Sequence, residues 1–315
     1  MGVTMKACRG HLLGTLLGLV AFSACLLVAS SALAASTDIA FIRSGDVYRM
    51  TSGGHKLKRL TKTKTTESDV IWSPTHTSLA FVRQTDMFED PPMIYAMPGS
   101  GGTAKRVRFT DDIGTPSYRS IDSLAYSPDG NSLAFTDEFS AGDNSVRARV
   151  CVVDLTNDTR AVLYDATSVT DMGFSVSWSP DGATLAVAEL GQSDENGPIR
   201  LIDVASRAVT VLPVTGASRV AWSPDDKHLL VTFTSMMKSR IAILTPAGAL
   251  VKTLAKGGGD ETSALALSSA AFSPGGGSVI YVKWGGSSKP ALWTMKASGA
   301  SKRLLLKNGD TPAWR

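Results

Sequence analysis

The chain has 315 residues, 43% of them hydrophobic, with 29 glycines and a formal charge of +4 at neutral pH. That length and apolar content exclude a disordered protein and leave room for one large all-β domain or two smaller ones. Lys6 and Arg9 belong to the leader described next, so the working charge falls to about +2, too small to argue for nucleic acid or a membrane as partner.

Residues 1–34 read as a signal peptide. Lys6 and Arg9 give a positive start, Leu12 to Val28 is an uncharged apolar run, and Ala32-Leu33-Ala34 is a small-x-small cleavage pattern before Ala35. Two other readings compete: a retained membrane anchor, since the run is long enough to span a bilayer, and lipid attachment at Cys25. The cleavage pattern favours removal. Phe22 before Cys25 and Leu26-Leu27-Val28 after it disfavour lipidation. The expectation is a periplasmic or extracellular protein with no stable membrane span after cleavage. Losing Cys8 and Cys25 leaves Cys151, inside the apolar run Val150 to Val153, so a buried structural thiol and no internal disulfide are expected.

From residue 38 the chain reads as short strands in a recurring set, here lettered A to D. "DIAFI" (38–42), "VYRM" (47–50) and "LKRLT" (57–61) are B, C and D of an incomplete first unit. The first complete unit has strand A ending at Trp72-Ser73-Pro74, then "SLAFV" (78–82), "IYAM" (94–97) and "KRVRFT" (105–110). Later A strands end at Tyr126-Ser127-Pro128, Trp178-Ser179-Pro180, Trp222-Ser223-Pro224 and Phe272-Ser273-Pro274. Their B strands fall at 132–136, 184–188, 228–232 and 278–282, and each is expected to be half-buried from its alternation. C and D strands follow at 150–155 and 160–164, 199–204 and 208–212, 241–244 and 250–254, 292–295 and 302–306. The chain closes on "TPAWR", a lone A strand ending at Trp314, and successive aromatics lie 54, 52, 44, 50 and 42 residues apart.

Six such units predict an all-β, six-bladed β-propeller of four-stranded antiparallel blades over residues 35–315. The first blade lacks an inner strand and the C-terminus has one to spare. The C-terminal strand therefore joins the N-terminal blade and closes the ring, which removes free edges. In "WSPDG" at 178–182, Pro180 fixes φ for a tight turn and Gly182 takes the left-handed conformation that starts strand B.

"VYRMTSGGHKLKRLT", followed by "VIWSP" and "SLAFV", resembles the repeat of TolB-type propellers, distant relatives of WD-repeat propellers, over about 38–315. The resemblance implies the propeller fold and a binding or scaffold role in the cell envelope, and little more, because one fold hosts many activities. TolB chains also carry an N-terminal α/β domain. Here the first strand follows the leader directly, so the resemblance is to the propeller alone.

No Gly-x-Ser-x-Gly elbow, phosphate loop or dinucleotide loop occurs, and no His/Cys/Asp grouping has zinc or calcium spacing. His55, His76 and His228 fall in different units near turns, where surface roles are expected. No catalytic residue, metal or cofactor is predicted. In a propeller the D–A and B–C connections share one face. The B–C connections of blades 2 to 4 are acidic (Asp86, Glu89, Asp90; Asp137, Glu138, Asp143; Glu189, Asp194, Glu195), and those of blades 5 and 6 basic (Lys238, Arg240; Lys283, Lys289). That face is expected to be electrically lopsided, unless its hairpin tips are simply solvated. The candidate ligand- or partner-binding residues are Asp69, Asp122, Asp171, Arg219, Asp260 and Asp310, each at or just before an inner strand. A channel mouth ringed by them suits a cation, a sugar or a peptide end, while the plainer role for such Asp residues is local capping of loops. Lys56, Lys58, Arg59, Lys105, Arg106, Arg108, Lys302 and Arg303, on outer strands of blades 6, 1 and 2, form either a basic patch or a block against edge pairing. The expected function is that of a monomeric, non-enzymatic module. Its partner would be an envelope or extracellular protein, or a small ligand in the central channel. The alternative is a carbohydrate- or peptide-processing enzyme with a carboxylate site at the channel mouth.

Overall fold

The computed structural model describes residues 37–84, 91–110, 118–141, 145–166, 174–189, 197–235, 238–258, 266–285 and 289–315. Its regular structure is entirely β. The strands are β1 (Asp38–Arg43), β2 (Asp46–Thr51), β3 (Lys58–Arg59), β4 (Thr66–Trp72), β5 (Ser78–Gln84), β6 (Met93–Pro98), β7 (Lys105–Arg106) and β8 (Arg119–Tyr126). They continue with β9 (Ser132–Ala141), β10 (Ser145–Asp154), β11 (Thr159–Ala166), β12 (Phe174–Trp178), β13 (Thr184–Glu189), β14 (Pro198–Asp203), β15 (Val209–Thr215) and β16 (Ala217–Trp222). The last are β17 (Leu229–Thr234), β18 (Lys238–Leu244), β19 (Leu250–Gly258), β20 (Leu267–Phe272), β21 (Ser278–Lys283), β22 (Ala291–Lys296), β23 (Arg303–Lys307) and β24 (Asp310–Trp314).

They form six four-stranded antiparallel sheets. Blade 1 has the order β24-β1-β2-β3, and blades 2 to 6 start from inner strands β4, β8, β12, β16 and β20. The inner strands pack against one another in cyclic order, with β24 between β20 and β4, so the ring is closed. Closure by the C-terminal strand is direct: Ile39 pairs with Trp314 and Ala40 with Ala313.

Each hydrophobic cluster belongs to a junction between adjacent blades. One joins Val150 and Leu163 of blade 3 to Leu185 and Ile202 of blade 4, with Trp178 packed against it. The B strands are therefore buried on both faces, not half-buried. β1, for example, is closed to solvent from Asp38 to Ile42. A blade in a ring has a neighbour on each side, so its middle strands have no wet face, and "DIAFI" and "SLAFV" are near-continuous apolar runs for that reason. Cys151 is fully buried, and burial first, then the nearby Asp137 carboxylate, pushes its thiol far above the ordinary range.

Two further features depart from the sequence expectation. The outer strands of blades 1 and 2 shrink to the dipeptides Lys58-Arg59 and Lys105-Arg106, all four residues exposed. Short, charged outer strands offer little to an intruding strand. In blade 3 the middle hairpin is long: β9 and β10 pair from Ser132↔Asp154 out to Ala141↔Ser145. Asp137 and Glu138, expected in a loop, thus sit inside β9 and are buried.

The repeated turn is a small hydrogen-bond device. The Gly182 N–H donates to the Ser179 carbonyl (3.0 Å), the Thr184 N–H donates to Ser179 Oγ (2.9 Å), and the Ser179 hydroxyl donates to Asp181. Ser127 and Asp129 repeat it in blade 3, and Ser223 and Asp225 in blade 5. One position of this turn is left-handed in five blades: His76 (φ 58°), Gly130 (76°), Gly182 (76°), Asp226 (60°) and Gly276 (70°). Glycine or a short polar side chain meets that demand, whereas a β-branched residue does not. Gly182→Val is expected to cost about 1–2 kcal/mol, and Gly182→Asp far less, because Asp226 already occupies the equivalent place. Equal melting temperatures for the two variants would contradict this role.

Candidate functional site: the central channel

Six inner strands line the channel, and the aromatic that ends each one fixes the register. The residues three before the aromatics are Asp69, Ser123, Ser175, Arg219, Ser269 and Thr311, and all six border a cavity of about 360 Å³. Its other end is walled by the aromatics themselves, among them Trp72, Tyr126, Trp178, Phe272 and Trp314. The channel is thus polar towards the D–A face and aromatic towards the opposite one.

Serines at this level stitch the ring. The Val176 N–H of blade 4 donates to Ser123 Oγ of blade 3 (3.1 Å), and the Val220 N–H of blade 5 donates to Ser175 Oγ of blade 4 (3.3 Å). Asp69 and Arg219 behave differently. They lie three blades apart in a ring of six, so they face one another. The Arg219 guanidinium donates through Nη1 to Asp69 Oδ1 at 3.2 Å. One ion pair therefore crosses the channel. Asp69 sits at a bulge in β4, between Ser68 and Ile71, with φ 45°; Ser269 and Thr311 are left-handed at the same level. Bulges re-aim side chains, and strain of this kind clusters at binding sites.

Burial pushes the Asp69 carboxyl up from 3.8 to about 6; the Arg219 charge and hydrogen bond oppose this, while the Asp122 and Asp310 carboxylates add to it. Burial likewise raises Asp310, against the Thr311 N–H and Arg219. Asp122 accepts from the Ser120 hydroxyl (2.7 Å). It also acts on Glu138, raised to about 7 chiefly by burial and secondly by the Asp122 charge. Of the six residues expected to ring the mouth, Asp69 and Arg219 line the cavity, and Asp122 and Asp310 stand within electrostatic reach. Asp171 and Asp260 lie outside the described residues.

In a carboxyl titration by NMR, Asp69 should titrate near pH 6, and Asp122→Asn or Asp310→Asn should lower that midpoint. Because the folded value exceeds the unfolded one, the proton stabilises the fold. This contribution is present below pH ~4 and is lost as pH rises through ~6. A midpoint near 4 would contradict the buried placement.

The lopsided face needs correction. Asp137 accepts from Arg119 and Arg160, and Glu189 from Arg200, so these described acidic groups are paired and buried and are not loop charges. Asp86, Glu89, Asp90, Asp143, Asp194 and Glu195 lie outside the described residues. Of the basic residues expected in the connections of blades 5 and 6, Lys238 and Arg240 belong to β18 and Lys283 ends β21, so only Lys289 lies between strands. Among the described residues, no group of three His, Cys, Asp or Glu is arranged to hold a metal ion, and no helix is long and apolar enough to cross a membrane.

No protein-family model matches the sequence, and no curated protein matches it. Solved structures do match. TolB from Acinetobacter baumannii superposes with a TM-score of 0.68 at 20% identity, covering 89% of this chain and 66% of that one. The chain has the TolB-type propeller fold. This TolB-like propeller spans just under two-thirds of that TolB chain's own length. A chain of a nidogen/laminin complex matches with a TM-score of 0.64 at 13% identity, over 88% of this chain and 98% of that one. An oligogalacturonate lyase in complex with manganese matches at 0.56 and 13%, over 83% and 70%.

Sequence reasoning missed the serine ring, although a signal for it existed. Each of these residues stands three before a repeat aromatic, which places all six at one height in the TolB-like channel.

Proposed function

We propose that the chain is an exported TolB-like propeller that acts as a non-enzymatic binding or scaffold module in the cell envelope. Residues 1–34 would be removed as the signal peptide, and the propeller over 35–315 would work in the periplasm or outside the cell. The observation that carries this reading is the Arg219–Asp69 pair inside a 360 Å³ channel, with Asp122 and Asp310 close by. Such a mouth holds one cation against three carboxylates, so an incoming ionic group can exchange with the internal pair instead of meeting an inert wall. In this reading Asp69, Asp122, Arg219 and Asp310, together with Asp171 and Asp260, select the ligand or partner.

The test is affinity capture with the full chain from an envelope extract at physiological salt. A partner retained by the wild-type chain and lost with Arg219→Gln is the expected result. Recovery of no partner by either chain overturns the reading. The raised carboxyls of Asp69 and Glu138 favour a second reading, in which the mouth performs acid–base chemistry on a carbohydrate or peptide. Turnover of such a substrate, abolished by Asp69→Asn, would establish it instead.

A further inference from the structure

The positive charge of the chain is concentrated in two blades. Residues 227–309 contain eleven Lys and Arg and only two acidic residues, Asp260 and Glu261, a net charge of +9. The whole chain carries only +4, so the rest of it is net negative. Six of the eleven gather at the D–A and B–C end of blades 5 and 6, and four of them, Lys238 with Lys289 and Lys256 with Lys307, stand at matching positions. Across blade 5 the register runs Phe233↔Arg240↔Lys256, and across blade 6 it runs Lys283↔Ala291↔Lys307. Lys238 and Lys289 each stand two residues before the middle member of their row. Among the described residues none of these six has an acidic ion-pair partner. Arg240 and Lys256 lie directly opposite each other, an arrangement of like charges that costs stability in a sheet.

Each row borders a pocket. The blade 5 pocket, about 460 Å³, is lined by Lys238, Arg240 and Lys256 around Phe233, and the Arg240 guanidinium lies 4.0 Å from the centre of that ring. The blade 6 pocket, about 380 Å³, is lined by Lys283, Lys289 and Lys307 around Trp293, with Lys283 Nζ 5.0 Å from its ring. Two neighbouring pockets therefore repeat one chemistry: three cations around an aromatic wall.

We propose that this end of blades 5 and 6 binds an anionic polysaccharide, a sugar chain with recurring carboxylate or phosphate groups, seating one acidic sugar in each pocket. Charge complementarity selects a polyanion. The pockets are concave, which suits projecting acidic sugars and not the flat surface of a bilayer. Two linked sites gain from one polymer what neither gains from a free sugar. The preference for a glycan over nucleic acid rests on the export reading above.

The probe is alginate, a polyuronate, bound to the full chain at 50 mM salt, with glucuronate, neutral dextran, an oligonucleotide and anionic vesicles alongside. Alginate should bind, weaken by at least tenfold between 50 and 500 mM salt, and exceed glucuronate by more than tenfold. The pairs Lys238→Gln/Lys256→Gln and Lys289→Gln/Lys307→Gln should each weaken it at least tenfold without lowering the melting temperature. Lys58→Gln/Arg106→Gln, on exposed strands of blades 1 and 2, should leave it unchanged. Absence of alginate binding, equal binding of dextran, equal loss with the control pair, or tighter binding of the oligonucleotide or vesicles overturns the proposal. Export is read separately: an N-terminus at Met1 in the cell-derived protein, with alginate bound as described, sinks the export reading and leaves the site.

Discussion

A chain ending at Gly309 should fail to form a cooperative fold. The six residues it lacks hold β24, the inner strand of blade 1. Ile39, Ala40 and Phe41 of β1 are closed to solvent, and the loss of β24 turns this strand into a free inner edge. Trp314 packs with Ile39, Phe41, Ile280 and Leu292, and so ties blade 1 to blade 6. Arg315 adds a backbone bond to the Asp38 carbonyl (2.8 Å), and its guanidinium lies 5.4 Å from the Trp72 ring of blade 2. Loss of Trp314, which is partly buried at this junction, costs up to about 3 kcal/mol, and each abandoned backbone bond about 1 kcal/mol more. The sum approaches the entire stability of an ordinary domain, about 5–15 kcal/mol. The expected outcome is aggregation on expression, with an apolar edge available for pairing. A truncated chain that stays monomeric and melts within a few degrees of the intact one would show that ring closure is dispensable. Trp314→Ala should be milder and should melt cooperatively at a lower temperature.

Closure was legible because it rests on counting: the chain opens on a B strand and ends on an A strand. The number of blades was equally legible, since five aromatics carry a turn that demands Pro and a left-handed residue, and Trp314 marks the sixth. The channel pair was half legible. Asp69 and Arg219 each stand three residues before a repeat aromatic, and three units apart in a ring of six means opposite. Whether their side chains meet depends on the bulge at Asp69, which no local pattern announces. The length of β9 was hidden for another reason. "TDEFSA" reads as a polar loop by composition, and only the arginines of other strands turn Asp137 into core. Sequence periodicity reports which face is apolar and is silent about buried charge satisfied from elsewhere in the chain.

That buried charge gives the largest single-residue effect expected. Asp137 is fully buried on β9. It accepts a bidentate pair from Arg119 of β8, Nε at 2.8 Å and Nη2 at 3.1 Å, and a third bond from Nη1 of Arg160 on β11 at 3.2 Å. Both arginine side chains are almost closed to solvent, 2% and 3% exposed. Asp137→Ala removes the carboxylate they share and leaves two guanidiniums to be held in the interior of blade 3. Breaking a buried pair from one side costs about 3–5 kcal/mol, because the desolvation remains when the attraction has gone. For a domain of this size that is a fall in melting temperature of roughly 6–20 °C. Since the groups are shielded from solvent, raising the salt to ~0.5 M should not close the gap between variant and wild type, in contrast to a surface pair. Replacing the whole set, Asp137→Leu with Arg119→Met and Arg160→Met, should recover much of the loss, because an apolar set of similar volume has no charge to desolvate. A deficit below ~1 kcal/mol for Asp137→Ala, or one that vanishes in salt, would mean that the cluster is wetter than its geometry indicates.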